Sequence, residues 1–236
     1  MAIVEVVKYN GKTNVMAWKY PSEELGTWTQ VIVNETQEFV KEGKVLDILG
    51  PGRHTLSTEN IPLLSKIVNL PFGGKSPFTA EIWYINKIFA LDVKWGTAPA
   101  IQLQDPKYKV FVPVTAFGQF GIKVDDSKKF LTKLVGTLPS FDHDVMVKYF
   151  RGLLVSNVKN VISEYLIKKN ISILEINAFI SEIGKELEDK LKPELDKYGI
   201  ELVNFYVTSI EAPEDDSAVI KLKDALSKRA EMDIVG

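Results

Sequence analysis

The spacing of apolar residues changes near Asp126, and this change constrains the fold more than any other feature of the chain. Before it, short β-branched or aromatic runs are separated by Gly, Pro and Asn clusters, the pattern of strands joined by turns. The strands predicted from these runs are Ile3–Val7, Gln30–Val33, Ile82–Ile85, Phe89–Trp95 and Val110–Val114. After it, apolar residues from Val145 onward follow helical spacing. The sequence therefore predicts an α+β protein, β-rich over residues 1–125 and built of helices and one late strand over 126–213.

Local signals place the helices of the second half. Asp142 is positioned as the N-cap of the first long helix. A second helix opens with Ser172 and Glu175 in a capping-box pattern, and Pro193 predicts a kink or break late in it. Gly199 suits the left-handed residue that ends a helix.

The late strand, Ile200–Ile210, is ended by Pro213, and acidic residues then precede a last helix. Val219, Leu222 and Leu226 start an apolar seam on that helix, although Arg229 and Asp233 fall on the next seam positions. The interpretation is that residues 214–236 are the start of a truncated helical tail that continues beyond Gly236.

Composition excludes several classes of function. With 29 basic and 31 acidic residues the net charge is -2, so a nucleic acid partner is not expected. The chain has no cysteine, which excludes disulfides, thiolate nucleophiles and Cys-ligated zinc within it. Its longest uncharged run, Val110–Ile122, is interrupted by Pro113 and Gly118 and is shorter than the roughly 20 apolar residues of a spanning helix. No segment is expected to cross a bilayer.

No chemical motif is complete. Gly74-Lys75-Ser76 resembles the end of a P-loop, but Asn69 replaces the first glycine and Pro77 stands where the helix would begin. His54 and His143 have no second metal ligand three or four residues away on the same helical face. The pairs Asp125-Asp126 and Asp215-Asp216 lack the alternate spacing of acidic residues that is typical of a calcium-binding loop. No catalytic, cofactor-binding or metal-binding residue is therefore predicted, no cofactor is expected, and the chain is not expected to be an enzyme.

Contact surfaces are the remaining candidates for function. The four tryptophans lie in the β-rich half, where core packing is the default and exposure on one rim would instead indicate interfacial anchoring. The candidate surface residues are Trp18, Trp28, Phe205 and Tyr206, together with the seam residues Val219, Leu222 and Leu226. Arg151 lies at the edge of an apolar helical stripe, and a carboxylate partner is expected for it.

Ordered landmarks resemble one family. Asn34-Glu35, Gly43-Lys44 and Gly50-Pro51-Gly52-Arg53-His54 resemble the opening of the stomatin/prohibitin/flotillin (SPFH, band 7) domain. Phe120 to Asp126 followed by Lys128-Lys129-Phe130 is similar to its strand and "D-P-x-x-F" helix, with Ser127 in place of proline. Tyr198 to Asn204 and Ser209 to Glu214 resemble the late strand and proline that run into the family's coiled-coil helix.

The resemblance covers nearly the whole chain and implies an SPFH domain over residues 1–213. Ala80–Asn86 and Leu91–Thr97 look like the bacterial branch labelled "virion core protein-like", whose members usually carry a C-terminal zinc ribbon that is absent here. Most stomatins and prohibitins have an N-terminal membrane hairpin or hydrophobic segment, whereas this sequence opens on a polar-flanked strand, so any membrane contact is expected to be peripheral, at the inner face of the cell membrane.

The resemblance implies that the protein is a scaffold or adaptor, which associates with itself and recruits other membrane-associated and stress-response proteins. Two alternatives stay open: a regulatory subunit of a membrane protease or a hydrolase, and a phage-derived virion structural protein.

Overall fold

The computed structural model describes residues 6–21, 30–33, 37–42, 47–55, 81–88, 90–136 and 138–235. The chain divides into two compact units, each assembled from several segments. The first comprises residues 1–90, 123–146 and 196–201, and the second comprises residues 91–122, 147–195 and 202–236. Strands dominate the N-terminal half and helices follow, which confirms the predicted α+β class.

The strands of the described residues, in chain order, are β1 (Val6–Lys8), β2 (Val15–Lys19), β3 (Gln30–Val33), β4 (Gln37–Glu42), β5 (Asp47–Leu49), β6 (Gly52–Thr55), β7 (Glu81–Asn86), β8 (Ala90–Gly96), β9 (Ile101–Gln104), β10 (Phe111–Val124), β11 (Ser140–Asp142) and β12 (Ile200–Glu211). The helices are α1 (Ser127–Phe130), which continues as π-helix over Leu131–Val135, α2 (His143–Lys169), a 3₁₀ segment (Ile173–Phe179), α3 (Ile180–Asp196) and α4 (Ser217–Val235).

The described residues of the first unit form two sheets, one in the order β1-β3-β6 and one in the order β11-β2-β7-β4-β5. In the larger sheet the central strand β7 pairs antiparallel with β2 and with β4. Four successive residues of β7, from Ile82 to Ile85, are buried. Because successive side chains of a strand point to opposite faces, β7 is covered on both faces, and this explains its unbroken apolar run.

The second unit is built on the sheet β12-β10-β8, in which β9 also pairs with the start of β10. Alternate residues at the start of β10 are buried, including Val112, Val114 and Ala116, whereas Phe111 and Phe117 on either side of this run are exposed. One face of this sheet is therefore packed and the other faces outward.

The backbone of β12 is covered by the helical segment that precedes it. The side-chain amide of Asn177 donates to the carbonyl oxygen of Ile210 at 2.8 Å and accepts from its N–H at 3.0 Å. Gly184 of α3 lies so close that an added Cβ would stand 3.4 Å from the Phe205 carbonyl oxygen. These contacts occupy polar groups that an open strand edge would otherwise offer to other chains.

The predicted helix signals are largely confirmed. The Asp142 carboxylate accepts from the backbone N–H of Val145 at 2.9 Å, and Ser172 and Glu175 form the complete capping box. The first two turns after Ser172 are 3₁₀ rather than α-helical. The break predicted at Pro193 is wrong, because α3 continues to Asp196. Proline removes only one hydrogen bond near the end of the helix. The helix is held in place by a buried apolar stripe of Ile183, Leu187, Leu191 and Leu195.

Candidate interaction surfaces

Helix α4 starts from a well-capped turn. The Asp216 carboxylate accepts from the backbone N–H groups of Ala218 at 2.8 Å and of Val219 at 3.3 Å, and Lys223 pairs with Glu214 at 3.0 Å. An aspartate N-cap and acidic residues before the first turn stabilise a helix N-terminus, so the sequence Glu214-Asp215-Asp216 fixes where α4 begins.

The seam of α4 is partly buried within the chain itself. Val219 and Leu222 are 0% and 1% exposed, whereas Leu226 is half-buried. Farther along, Met232, Ile234 and Val235 are 70%, 84% and 87% exposed. The first turns of the helix are thus anchored by their own chain, and apolar side chains of its last turns face outward.

Trp18 is half-buried in an aromatic cluster of the first unit, together with the half-buried Tyr9 and Tyr20 and the buried Tyr84. The Trp18 ring centroid is 5.3 Å from that of Tyr9 and 6.0 Å from those of Tyr20 and Tyr84. Burial, with the nearby Tyr20, raises the pKa of the Tyr84 phenol, whose hydroxyl donates to the carbonyl oxygen of Val7 at 3.0 Å. Trp18 therefore contributes to packing while keeping part of its surface accessible.

Trp28 and the P-loop-like segment Gly74-Lys75-Ser76 lie outside the described residues. Of the two other aromatic candidates, Phe205 is buried and stacks on Trp95 with ring centroids 5.0 Å apart. Tyr206 is exposed, and its carbonyl oxygen accepts from the Trp95 indole N–H at 3.1 Å. Phe205 thus belongs to the core, and Tyr206 is the member of the pair that a partner could reach.

A buried carboxylate that the sequence analysis missed holds part of the second unit together. Asp105 is fully buried and accepts from the Ser172 hydroxyl at 2.6 Å and from the Ile173 backbone N–H at 2.9 Å. It also accepts from the backbone N–H groups of Lys107 and Tyr108 at 2.9 and 3.0 Å. Its place directly after a strand and before Pro106 was the available sequence signal, since aspartate favours such turns.

An ion pair lies next to this carboxylate. Lys107 approaches Glu175 at 2.8 Å, and Glu175 also accepts from the backbone N–H of Ser172 at 2.7 Å. The bond from Lys107, followed by that from the Ser172 backbone, lowers the pKa of the Glu175 carboxyl. The hydrogen bonds of Asp105 and the Lys107–Glu175 ion pair connect the β9–β10 turn to the 3₁₀ segment, so we assign this arrangement a structural role.

Each of the two histidines takes part in a hydrogen bond to a backbone carbonyl oxygen. The ring Nε2 of His54 donates to the carbonyl oxygen of Gly50 at 2.7 Å, and His143 starts α2, its backbone N–H bonded to the Asn14 carbonyl oxygen at 3.3 Å. Within the described ranges, no group of three or more His, Asp or Glu side chains is arranged to hold a metal ion. Of the helices in the same ranges, none combines the length and the apolar character needed to cross a membrane.

Comparison with known proteins gives two findings. A family model described as "SPFH domain-Band 7 family" matches residues 17–234, from β2 to the end of α4. "Uncharacterized protein YdjI" of Bacillus subtilis (strain 168) is similar to this chain, with 23% identity over 229 aligned positions. The alignment covers 95% of this chain and 67% of the Bacillus protein.

Proposed function

Because this chain belongs to the SPFH domain-Band 7 family, we propose that it is a non-enzymatic, oligomerising scaffold at the cytoplasmic side of the bacterial membrane. The family suggests a scaffold kind of role associated with membranes. In the proposed role, the protein organises or recruits membrane and stress-response proteins by means of its surfaces. Contact with the membrane is peripheral, through partner proteins or a shallow surface.

The observation that carries this proposal is the exposed apolar end of α4. Met232, Ile234 and Val235 are among the most exposed large apolar side chains of the described residues. Met232 and Val235 are three residues apart and therefore lie on one side of the helix. Exposed apolar side chains that share a surface mark sites of association, because burying them removes apolar area from water. The anchored start of the helix, at Val219 and Leu222, holds this end in a defined direction for a second copy to cover.

Self-association through α4 is tested by replacing its exposed apolar side chains. The double variant Met232→Glu, Ile234→Glu is expected to shift the protein towards monomer in sedimentation equilibrium, because charged side chains cannot be buried in an apolar contact without a large penalty. The control is Lys221→Gln, which changes an exposed residue of the same helix and is expected to associate like the unmodified chain. Equal association of all three proteins would contradict the proposal for this helix.

The membrane part of the proposal has its own test. After gentle lysis of bacterial cells that express the full chain, the protein is expected to sediment with the membrane fraction. A wash at high salt or high pH is expected to release it, as for a peripheral protein. Recovery entirely in the supernatant of the unwashed lysate would contradict the proposed location.

A further inference from the structure

Helix α2 carries an exposed basic stripe, defined here as Lys148, Arg151 and Lys159. All three side chains are exposed, and no acidic residue occurs between Val145 and Ser163. Lys148 and Lys159 are eleven residues apart, which is about three helical turns or roughly 16 Å, so they lie on the same side of the helix. On a chain whose net charge is -2, this is a local concentration of positive charge.

Among the residues that the structure describes, no carboxylate forms an ion pair with Lys148, Arg151 or Lys159 of the basic stripe. Across the part of the chain that the structure describes, the ion pairs involve other lysines, such as Lys107, Lys168 and Lys228. The carboxylate partner that the sequence predicted for Arg151 is not found among those residues.

Small residues separate the charges along the stripe. Gly152 and Ser156 are exposed between Lys148 and Lys159, and a Cβ added to Gly152 would meet no atom within 4 Å. A partner can therefore approach the helix backbone closely between the charged side chains.

The same unit carries a complementary acidic segment, the turn from Glu211 to Asp216 between β12 and α4. It holds four acidic residues in six positions, Glu211, Glu214, Asp215 and Asp216. Glu214 pairs with Lys223, and Asp216 caps α4. Glu211 and Asp215 are exposed, and neither forms an ion pair with any residue that the structure describes. Like the basic stripe, this turn carries charged side chains that form no ion pair with the residues that the structure describes.

We propose that the basic stripe of α2 binds the acidic turn Glu211–Asp216 of a second copy of this chain. A contact between two different surfaces of identical chains is head-to-tail, and it generates rings or filaments rather than a closed twofold dimer. This inference rests on the proposed self-association and deepens it by naming a second contact between copies, separate from the apolar end of α4. The charge on each side steers the copies together and fixes which surfaces meet.

Charge reversal on each side separately, and then on both, tests the contact. Dissociation constants of the full chain are measured by sedimentation at low and high salt for Lys148→Glu, Lys159→Glu and for Glu211→Lys, Asp215→Lys. Each double variant is expected to weaken association about 10-fold to 30-fold, and the combination of all four substitutions is expected to restore most of it. High salt is expected to weaken self-association of the unmodified chain, because exposed charges are screened beyond about 10 Å at 0.1 M salt.

The matched control is Lys185→Glu, Lys192→Glu on α3, which makes the same change of charge at two exposed helical lysines. It is expected to associate like the unmodified chain, and circular dichroism confirms that each variant is folded. If the unmodified chain assembles but charge reversal on the stripe weakens association no more than this control does, the named contact is wrong and the scaffold proposal survives. If the unmodified chain remains monomeric, both fail.

The test also separates a second copy from a lipid surface. Binding to phosphatidylglycerol vesicles is measured for the unmodified chain and for Lys148→Glu, Lys159→Glu. Loss of vesicle binding with unchanged self-association would assign the stripe to anionic lipid and overturn the inference.

Discussion

Gly199 occupies a position that the structure makes intolerant of any side chain. Its backbone is left-handed, with φ at +74°, and its carbonyl oxygen accepts from the backbone N–H groups of Asp125 and Asp126 at 2.9 and 3.2 Å. A Cβ added here would overlap the carbonyl oxygen of Asp126 and stand 3.0 Å from the backbone nitrogen of Phe130. Gly199→Ala therefore strains the backbone and pushes against the first turn of α1.

The cost of Gly199→Ala follows from these two effects. The left-handed conformation costs an L-residue roughly 1–2 kcal/mol. Forcing extra volume against backbone atoms that cannot move away costs typically about 1–3 kcal/mol. The free energy of unfolding is therefore expected to fall by about 2–5 kcal/mol, a large part of the roughly 5–15 kcal/mol that stabilises an ordinary domain.

Gly152→Ala is the matched control, because it makes the same chemical change at a helical position with open space around it. Glycine within a helix is less stable than alanine by about 0.5–1 kcal/mol, so this variant is expected to gain that amount. Urea unfolding followed by circular dichroism measures both variants. A Gly199→Ala protein whose unfolding free energy lies within about 0.5 kcal/mol of the unmodified chain would refute the reasoning, since strain and overlap together exceed that value.

Three further predictions concern the second unit. Asp105→Asn is expected to lower the free energy of unfolding by about 2–4 kcal/mol, because the NH2 group of asparagine would face buried N–H and O–H donors where a carboxylate oxygen now accepts from them. Urea titration measures the change, and an unchanged midpoint would contradict the expectation. Glu175→Gln is expected to destabilise the protein at neutral pH and to match the stability of the unmodified chain in acid. The pKa of Glu175 is lowered in the folded state, so its carboxylate stabilises the fold above the unfolded pKa of about 4.3. This stabilisation is lost as the pH falls. Thermal melts at several pH values check this, and a constant difference at every pH would be inconsistent with it. Asn177→Ala is expected to cost about 1–3 kcal/mol and to speed amide exchange at Ile210, whereas slow exchange there would show that its amide does not protect β12.

The helical half could be predicted closely because its signals are local. The N-cap Asp142, the capping box of Ser172 with Glu175, and the left-handed Gly199 each depend on residues within one helical turn, and all three are found. Pro193 failed as a break signal because packing of the apolar stripe outweighs one lost hydrogen bond. Tertiary packing of this kind is not visible in a single window of sequence.

The β-rich half was predicted less completely. Strands β2, β4, β5, β6 and β9 were not predicted, and neither was β11, which lies in the half expected to hold a single late strand. All six have six residues or fewer. Short strands are specified by the strands beside them, as β2 is by β7 and β11, so their own periodicity is weak. The full length of β10, which continues to Val124, was also missed, because Pro113 and Gly118 are ordinarily signals of turns.

The candidate surfaces show the same division between local and distant effects. The apolar seam of α4 was visible in its spacing, but only the fold determines that Val219 and Leu222 are buried while Met232 and Ile234 are exposed. Likewise, Asp105 and Ser172 are 67 residues apart in the sequence, so their hydrogen bond depends on the complete fold.

Self-association is the central claim, and the mass of the unmodified chain in solution tests it most directly. Light scattering coupled to size-exclusion chromatography, at low salt and over a range of micromolar concentrations, is expected to show a mass that rises with concentration well above the 26.5 kDa of one chain. A constant mass of 26.5 kDa at every concentration would contradict the account.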